Sequence, residues 1–241
     1  MTATTQFHRS PEETMRIARW TGAVYLSLGV ATLFGFFHAP LVQGDLNVIA
    51  HTISASYLRF RIGVVIDLVS TALAVPLALL LYKLFKPVQE TQAALMALLV
   101  LITIPMSFVV ALNYVAAQML LNNTLDILIF TGAQQHTLGM LFLRLHTHGV
   151  LAEEIFWGLW LLPFGLLVIR SRFLPRVLGI LLIIAGVAYV AHSVTSLLLA
   201  GQRIVVYERA TMLARAAGEF PIMLWLLIKG ADVRRASSGA S

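Results

Sequence analysis

The stretch FWGLWLLPFGLLVIRSRFLPRVLGILLIIAGVAYV, residues 156–190, holds two apolar runs around one short basic turn, and its reading decides the fold. The runs extend to about 147–169 before the turn RSRFLPR and 173–199 after it. At about 1.5 Å per residue, each is long enough to cross roughly 30 Å of hydrocarbon as a helix. Lys and Arg resist translocation, so a turn holding Arg170, Arg172 and Arg176 is expected on the cytoplasmic side.

Further runs of this kind lie near 20–42, 62–82, 93–117 and 209–229. The expected fold is therefore all-α, a polytopic membrane bundle of about six transmembrane helices. Composition agrees: 59% of residues are hydrophobic, against about 45–50% in soluble domains. Charged residues make up 12%, too few for a separate soluble domain. The expected organisation is a cytoplasmic N-terminal segment over 1–19, a transmembrane domain over 20–229 and a disordered cytoplasmic tail over 230–241. Between the third and fourth runs, NNTLDILIFTGAQQHTLGMLFLRL (122–145) mixes amide, Gly and apolar residues. A loop and a short amphipathic surface helix are expected there, with a re-entrant segment as the alternative.

The net charge of +6 would suggest nucleic acid in a soluble protein, but here Lys and Arg cluster beside apolar runs, where they set orientation and meet anionic headgroups. The expected partner is the lipid bilayer, with no nucleic acid. Arg9, Arg16, Arg19, Lys83, Lys86, Arg170, Arg172, Arg176, Lys229, Arg234 and Arg235 flank one set of span ends. Arg59, Arg61, Arg144, Arg203, Arg209 and Arg215 flank the other, and together they make up all 17 Lys and Arg. The bias predicts a multi-pass protein of the cell membrane with both termini in the cytoplasm. The N-terminal MTATTQFHRSPEETMRIAR is too polar for a cleavable signal, so the first run is expected to stay as a signal anchor. Absence of cysteine removes disulfides, thiolate metal sites and cysteine nucleophiles. Pro76, Pro105, Pro163 and Pro221 fall inside runs, where a membrane helix bends without breaking, while Pro87 and Pro175 sit at boundaries.

Charged side chains within a span cost several kcal/mol by most estimates (~3 kcal/mol on insertion scales), so each demands a partner, water or a function. Counted from the cytoplasmic ends at about 1.5 Å per residue, Asp67, Glu153, Glu154, His192 and Arg215 all fall in the outer half, with Glu219 somewhat deeper. That shared depth predicts an outward-facing polar pocket rimmed by Arg59, Arg61, His146 and His148. His146 and Glu153 share a helix face, as do Arg215 and Glu219, and Ser70 and Thr71 lie on the side of Asp67. The plainer reading of Arg215 and Glu219 is a neutralising intrahelical pair, and of Asp67 a structural partner for an Arg elsewhere. His146, His192 and Asp67 are also weak candidates for metal ligands, although His146 and His148 point to opposite helix sides and no H-E-x-x-H, phosphate loop, dinucleotide glycine pattern or nucleophile elbow occurs. The sequence does not identify a cofactor. Trp20 suits an interfacial anchor, and Trp157 and Trp160 suit packing.

RIARWTGAVYL, FRIGVVIDL, LHTHG followed by FWGLWLLPFGLLVIRSRFLPRVLGILLIIAGVAYV, and GEFPIMLWLLIKG together resemble a bacterial membrane family catalogued as a domain of unknown function, number 4386. The resemblance runs from about Arg16 to Gly230. It implies a polytopic inner-membrane protein and no particular activity. Arg61, Gly63, Asp67, His146, Gly149, Gly158, Pro175, Arg176 and Gly179 match its pattern. The family's pattern has small or apolar residues at Glu153 and Glu154, often a His at Trp160, and often an Asp at His192. The resemblance thus favours Arg61, Asp67 and His146 as site residues.

The leading expectation is a pocket for a small or lipidic ligand formed by Arg61, Asp67, His146, Glu153, His192, Arg215 and Glu219. Its alternatives are a membrane-embedded metal-dependent hydrolase, which needs three ligands about 2.0–2.2 Å from one point, and a structural or partner-binding bundle with small residues such as Ala31 and Gly35 at a helix contact. A transporter would need a polar path to both faces, and the cytoplasmic halves read as almost wholly apolar.

Overall fold

The computed structural model describes residues 10–42, 48, 56–122, 130–199 and 205–231. Among them the chain forms six long helices: α1 (Pro11–Val42), α2 (Tyr57–Phe85), α3 (Glu90–Leu121), α4 (Gly132–Ser171), α5 (Arg176–Leu198) and α6 (Val205–Ile228). No strand occurs among these residues, and all six helices are long and apolar enough to cross a membrane. The protein is a multi-pass, all-α membrane protein.

The distribution of large apolar side chains fits that setting. On α5, Val177, Ile180, Ile184, Val187 and Val194 recur at helical spacing and are exposed, while Leu178, Leu182, Ala185 and Gly186 face inward. An exposed aliphatic stripe would be unfavourable in water, whereas in hydrocarbon it is solvated. Trp20 is 62% exposed near the start of α1.

Each helix packs on its neighbours in the chain, and α6 returns to α1, so the six close into a ring in sequence order. Small residues set the closest approaches. Along α4 and α5 two glycine pairs face each other, Gly158 with Gly186 and Gly165 with Gly179. A Cβ at Gly158 would lie 2.5 Å from the Gly186 carbonyl oxygen, and one at Gly165 would lie 2.6 Å from that of Gly179. Gly22 similarly admits the α6 backbone at Leu227, and Gly218 admits Leu181 and Ala185 of α5. Backbones that approach this closely gain dispersion contacts, which in a bilayer take the place of the hydrophobic drive.

Pro76, Pro105, Pro163 and Pro221 all lie inside continuous helices. Around the turn RSRFLPR, α4 ends with Arg172 in the left-handed conformation (φ 57°) and Pro175 caps the start of α5. The same end of the bundle is tied by the Arg170 guanidinium, which donates to the side-chain oxygens of Gln89 and Gln92.

The stretch 122–145 differs from the expectation of a loop followed by a separate surface helix. Residues 123–129 lie outside the described residues, but Gly132 onward is helical and runs without a break into the fourth span, 40 residues in all. At about 1.5 Å per residue this is about 60 Å, twice the hydrocarbon thickness. Two local features explain the continuity. Thr131 forms a capping box with Gln134, its N–H donating to Oε1 of Gln134 at 2.8 Å. Gly139, a weak helix former on the way, is held against Leu121 and Ala117 of α3.

Two apolar clusters divide the interior. The larger fills the half of the bundle nearest the Arg170 turn and includes Tyr25, Leu81, Phe85, Met96, Leu161, Phe164, Leu182 and Ile222, all under 2% exposed. The smaller, at the other end, comprises Phe60, Val64, Ala117, Met140 and Leu143. Asp67 on α2, Ser107 and Tyr114 on α3 and Glu153 and Glu154 on α4 fall between the clusters in sequence, so the polar residues form a layer capped by apolar packing on both sides.

Candidate functional site

The intramembrane polar residues fall into two sets that meet on α4, where Glu153 and Glu154 are neighbours. Successive helical positions are turned by about 100°, so the two carboxylates point to different neighbouring helices. Both residues are buried, at 2% and 6% exposure.

Glu154 turns toward α5 and α6. Its Oε1 accepts from Nη1 of Arg215 at 2.7 Å, and its Oε2 meets Nδ1 of His192 at 2.5 Å. A carboxylate accepting at both oxygens requires His192 to carry a proton on Nδ1. The Arg215 guanidinium also lies over the Tyr189 ring, 4.8 Å from its centroid, a contact worth about 1–2 kcal/mol where water is excluded. Tyr189 donates to Oε1 of Glu219 at 2.8 Å, and Tyr25, from α1, donates to Oε2 of the same carboxylate at 2.5 Å. The chain His192, Glu154, Arg215, Tyr189, Glu219, Tyr25 therefore links four helices. Ser193 adds a bond to the Leu151 carbonyl at 2.5 Å, and His192 stacks near Tyr207 at 6.3 Å.

The intrahelical reading of Arg215 and Glu219 holds in part: the two stay within electrostatic reach of each other, but their hydrogen bonds go to other helices. Arg215 spends its planar donors on a carboxylate of another helix, and Glu219 takes two phenol hydroxyls. The partner of Arg215 comes from a residue more than 60 positions away, which helical spacing alone does not reveal. Tyr25 and Tyr189 were not singled out in the sequence, where each reads as one more aromatic in an apolar run. Their only signal is a hydroxyl at the depth of Glu219.

The second set faces α2 and α3. The His146 ring stacks on Tyr114 with centroids 3.4 Å apart, and Tyr114 meets Phe60 edge-on at 5.2 Å. Ser107 reaches the Glu153 carboxylate, and Asp67 lies within electrostatic reach of both Glu153 and Tyr114. Oε1 of Glu153 is buried with no hydrogen-bond partner. The Ser70 hydroxyl donates to the backbone carbonyl of Asp67, not to its carboxylate.

The remaining rim residues lie outward. Arg59, Arg61 and His148 are exposed. Trp157 packs edge-on against Tyr189 at 6.1 Å, and Trp160 stacks with Phe164 at 5.5 Å. Among the described residues no three His, Asp or Glu side chains converge as a metal ion would require. His192 is engaged by Glu154 on one side of α4, while His146 stacks on α3 on the other.

No curated protein and no solved structure matches the chain. One family model does, described as a domain of unknown function (DUF4386), over residues 20–230. That span covers every helix from the third turn of α1 to the end of α6, and the chain belongs to the DUF4386 family of membrane proteins.

Proposed function

We propose that the protein binds a small or lipidic ligand at Asp67, Tyr114, His146 and Glu153, between α2, α3 and α4. One observation carries this reading: a buried carboxylate oxygen of Glu153 lacks a hydrogen-bond donor in a part of the chain that crosses the membrane. An unsatisfied polar atom in such surroundings is unfavourable by about 1–3 kcal/mol or more, and a bound group that donates to it removes the penalty. The Glu154 network has the opposite character. Its oxygens are matched with donors, which suits a frame that fixes α4 against α5, α6 and α1 while the Glu153 side of α4 is left for a ligand.

Orientation comes from the charge bias. With the 11 basic residues of the larger set in the cytoplasm, both termini are cytoplasmic and the site lies in the outer half of the cell membrane, with Arg61 at its rim. A ligand then enters from the outer leaflet or the external medium.

The test is retention of a ligand through purification. Wild-type protein extracted in native lipid discs is compared with Asp67→Asn and His146→Ala by native mass spectrometry. A bound species in the wild type that both variants lose, with helix content unchanged, is the expected result. Identical spectra for all three proteins would refute the site.

A further inference from the structure

We propose that the seam between α3 and α4 takes up a file of water molecules running from the Gln135 end of the bundle to Glu153. Helical spacing lines the seam up. On α4, Gln135, Gly139, His146, Gly149 and Glu153 follow one another at intervals of four, seven, three and four, so all five share one face. On α3, Ser107, Val110, Tyr114 and Gln118 do the same at intervals of three, four and four. Contacts at three levels hold the two faces together. Gly139 lies against Leu121 and the Ala117 carbonyl, the His146 ring stacks on Tyr114, and Gly149 lies against Val110. At about 1.5 Å per residue, Gln135 and Glu153 stand about 27 Å apart along α4.

Three buried polar atoms on this line lack a hydrogen-bond partner: Oε1 of Gln135, Nε2 of Gln118 and Oε1 of Glu153. Their side chains belong to residues 8%, 9% and 2% exposed. Among the described residues one further side-chain atom of this kind is found, Nε1 of Trp225 on α6. The grouping along one seam is what calls for a shared cause. At the mouth, Nε2 of Gln135 donates to the Phe130 carbonyl at 3.3 Å, which holds that amide in place with its oxygen unmatched.

The needs of the three atoms select the guest. Two are acceptors that want a donor, and one is a donor that wants an acceptor. A cation would serve only the oxygens, an anion only Gln118, and an acyl chain none of them. Water serves all three, and buried water characteristically bridges polar groups left unmatched by the protein. The glycine contacts restrict the size of the guest as well. A Cβ at Gly149 would lie 2.6 Å from Cγ2 of Val110, and one at Gly139 would lie 2.8 Å from Cγ of Leu121. The α5 side of α4 is different, since both oxygens of Glu154 are matched and Ser193 bonds the Leu151 carbonyl.

With the Gln135 end of the seam outward, the file joins Glu153 to the external medium. For the binding site proposed above this favours a small water-soluble ligand over a lipidic one. That consequence rests on the site, whereas the file of water does not.

The experiment is hydroxyl-radical footprinting by X-ray radiolysis of the full chain in phosphatidylcholine nanodiscs. Radicals formed from water oxidise the side chains beside it, and mass spectrometry gives the rate at each residue. Tyr114 and His146 should oxidise at least tenfold faster than Tyr25 and Met96, which lie in the larger apolar cluster. Gln118→Leu and Gln135→Leu, which remove the amides and keep an apolar side chain in place, should lower the rates at Tyr114 and His146 at least tenfold. Methionine replaces leucine in any variant that fails to fold. Rates at Tyr114 and His146 as low as at Met96, or unchanged by the amide replacements, would overturn the file. Native mass spectrometry reads the ligand separately, so hydrated rings without a ligand refute only the binding site, and a ligand with dry rings refutes only the file.

Discussion

Replacing Arg215 by Met keeps the length and apolar stem of the side chain and removes the guanidinium from the Glu154 network. In the wild type, Arg215 Nη1 sits 2.7 Å from Glu154 Oε1, with the two side chains 16% and 8% exposed. Breaking a buried ion pair in a soluble protein costs about 3–5 kcal/mol, because the surviving charge is stranded. Hydrogen bonds between membrane helices average nearer ~0.6 kcal/mol, with a maximum of ~1.7. Here the carboxylate is not fully stranded, since His192 Nδ1 remains 2.5 Å from its other oxygen. The guanidinium contact with Tyr189 is lost as well. An intermediate loss of about 2 kcal/mol is therefore expected, between these two limits.

Glu154→Gln should cost a similar amount, since it takes from Arg215 its hydrogen-bonded counter-charge and leaves only Glu219 within electrostatic reach. The double variant Glu154→Gln/Arg215→Met removes both charges together and should lose clearly less than the sum of the two. A coupling of about 1–2 kcal/mol is expected, within the range for residues in one network. Reversible unfolding in mixed micelles, titrated with SDS and followed by circular dichroism, measures all four proteins. If the two single losses add to the double loss within about 0.5 kcal/mol, the residues are not coupled and the frame assigned to Glu154 is wrong.

Gly165→Ala would place a Cβ 2.6 Å from the Gly179 carbonyl oxygen, well inside the 3.4 Å at which ordinary contact begins. Overpacking of about 1–3 kcal/mol should outweigh the ~1 kcal/mol gain in helix propensity, lowering the unfolding midpoint, whereas Gly132→Ala, whose new Cβ meets nothing within 4 Å, should be neutral or slightly stabilising. Because the chain has no cysteine, orientation is open to single-cysteine labelling. In intact cells a membrane-impermeant maleimide should label Gly132→Cys and leave Lys86→Cys unlabelled, and the reverse pattern would invert the topology.

Much of the architecture was legible because it depends on properties counted along one chain. Runs such as 93–117 and 173–199 must be helices if they cross a bilayer, since only a helix satisfies its own backbone there. Pro76 and Pro163 did not mislead, because in that setting proline bends a helix without ending it. That Glu154, His192 and Arg215 lie at one level of the bundle also followed from counting, as rise per residue is fixed. The stretch 122–145 was harder. Its amides and glycines suggest a loop, but a capping box at Thr131 and packing of Gly139 on α3 carry α4 through most of it.

What counting could not supply is azimuth, the direction each side chain faces once six helices have closed into a ring. Glu153 and Glu154 are equivalent in the sequence, both carboxylates at one depth. The tertiary structure separates them, one toward Ser107 and Asp67 with an oxygen unmatched, the other clasped by His192 and Arg215. The cause is physical: composition and helical rise are one-dimensional, whereas the pairing of charges depends on which helix is neighbour to which and at what rotation. Both are set by contacts such as the glycine pairs of α4 and α5, where the absence of a Cβ on two helices has to coincide in space.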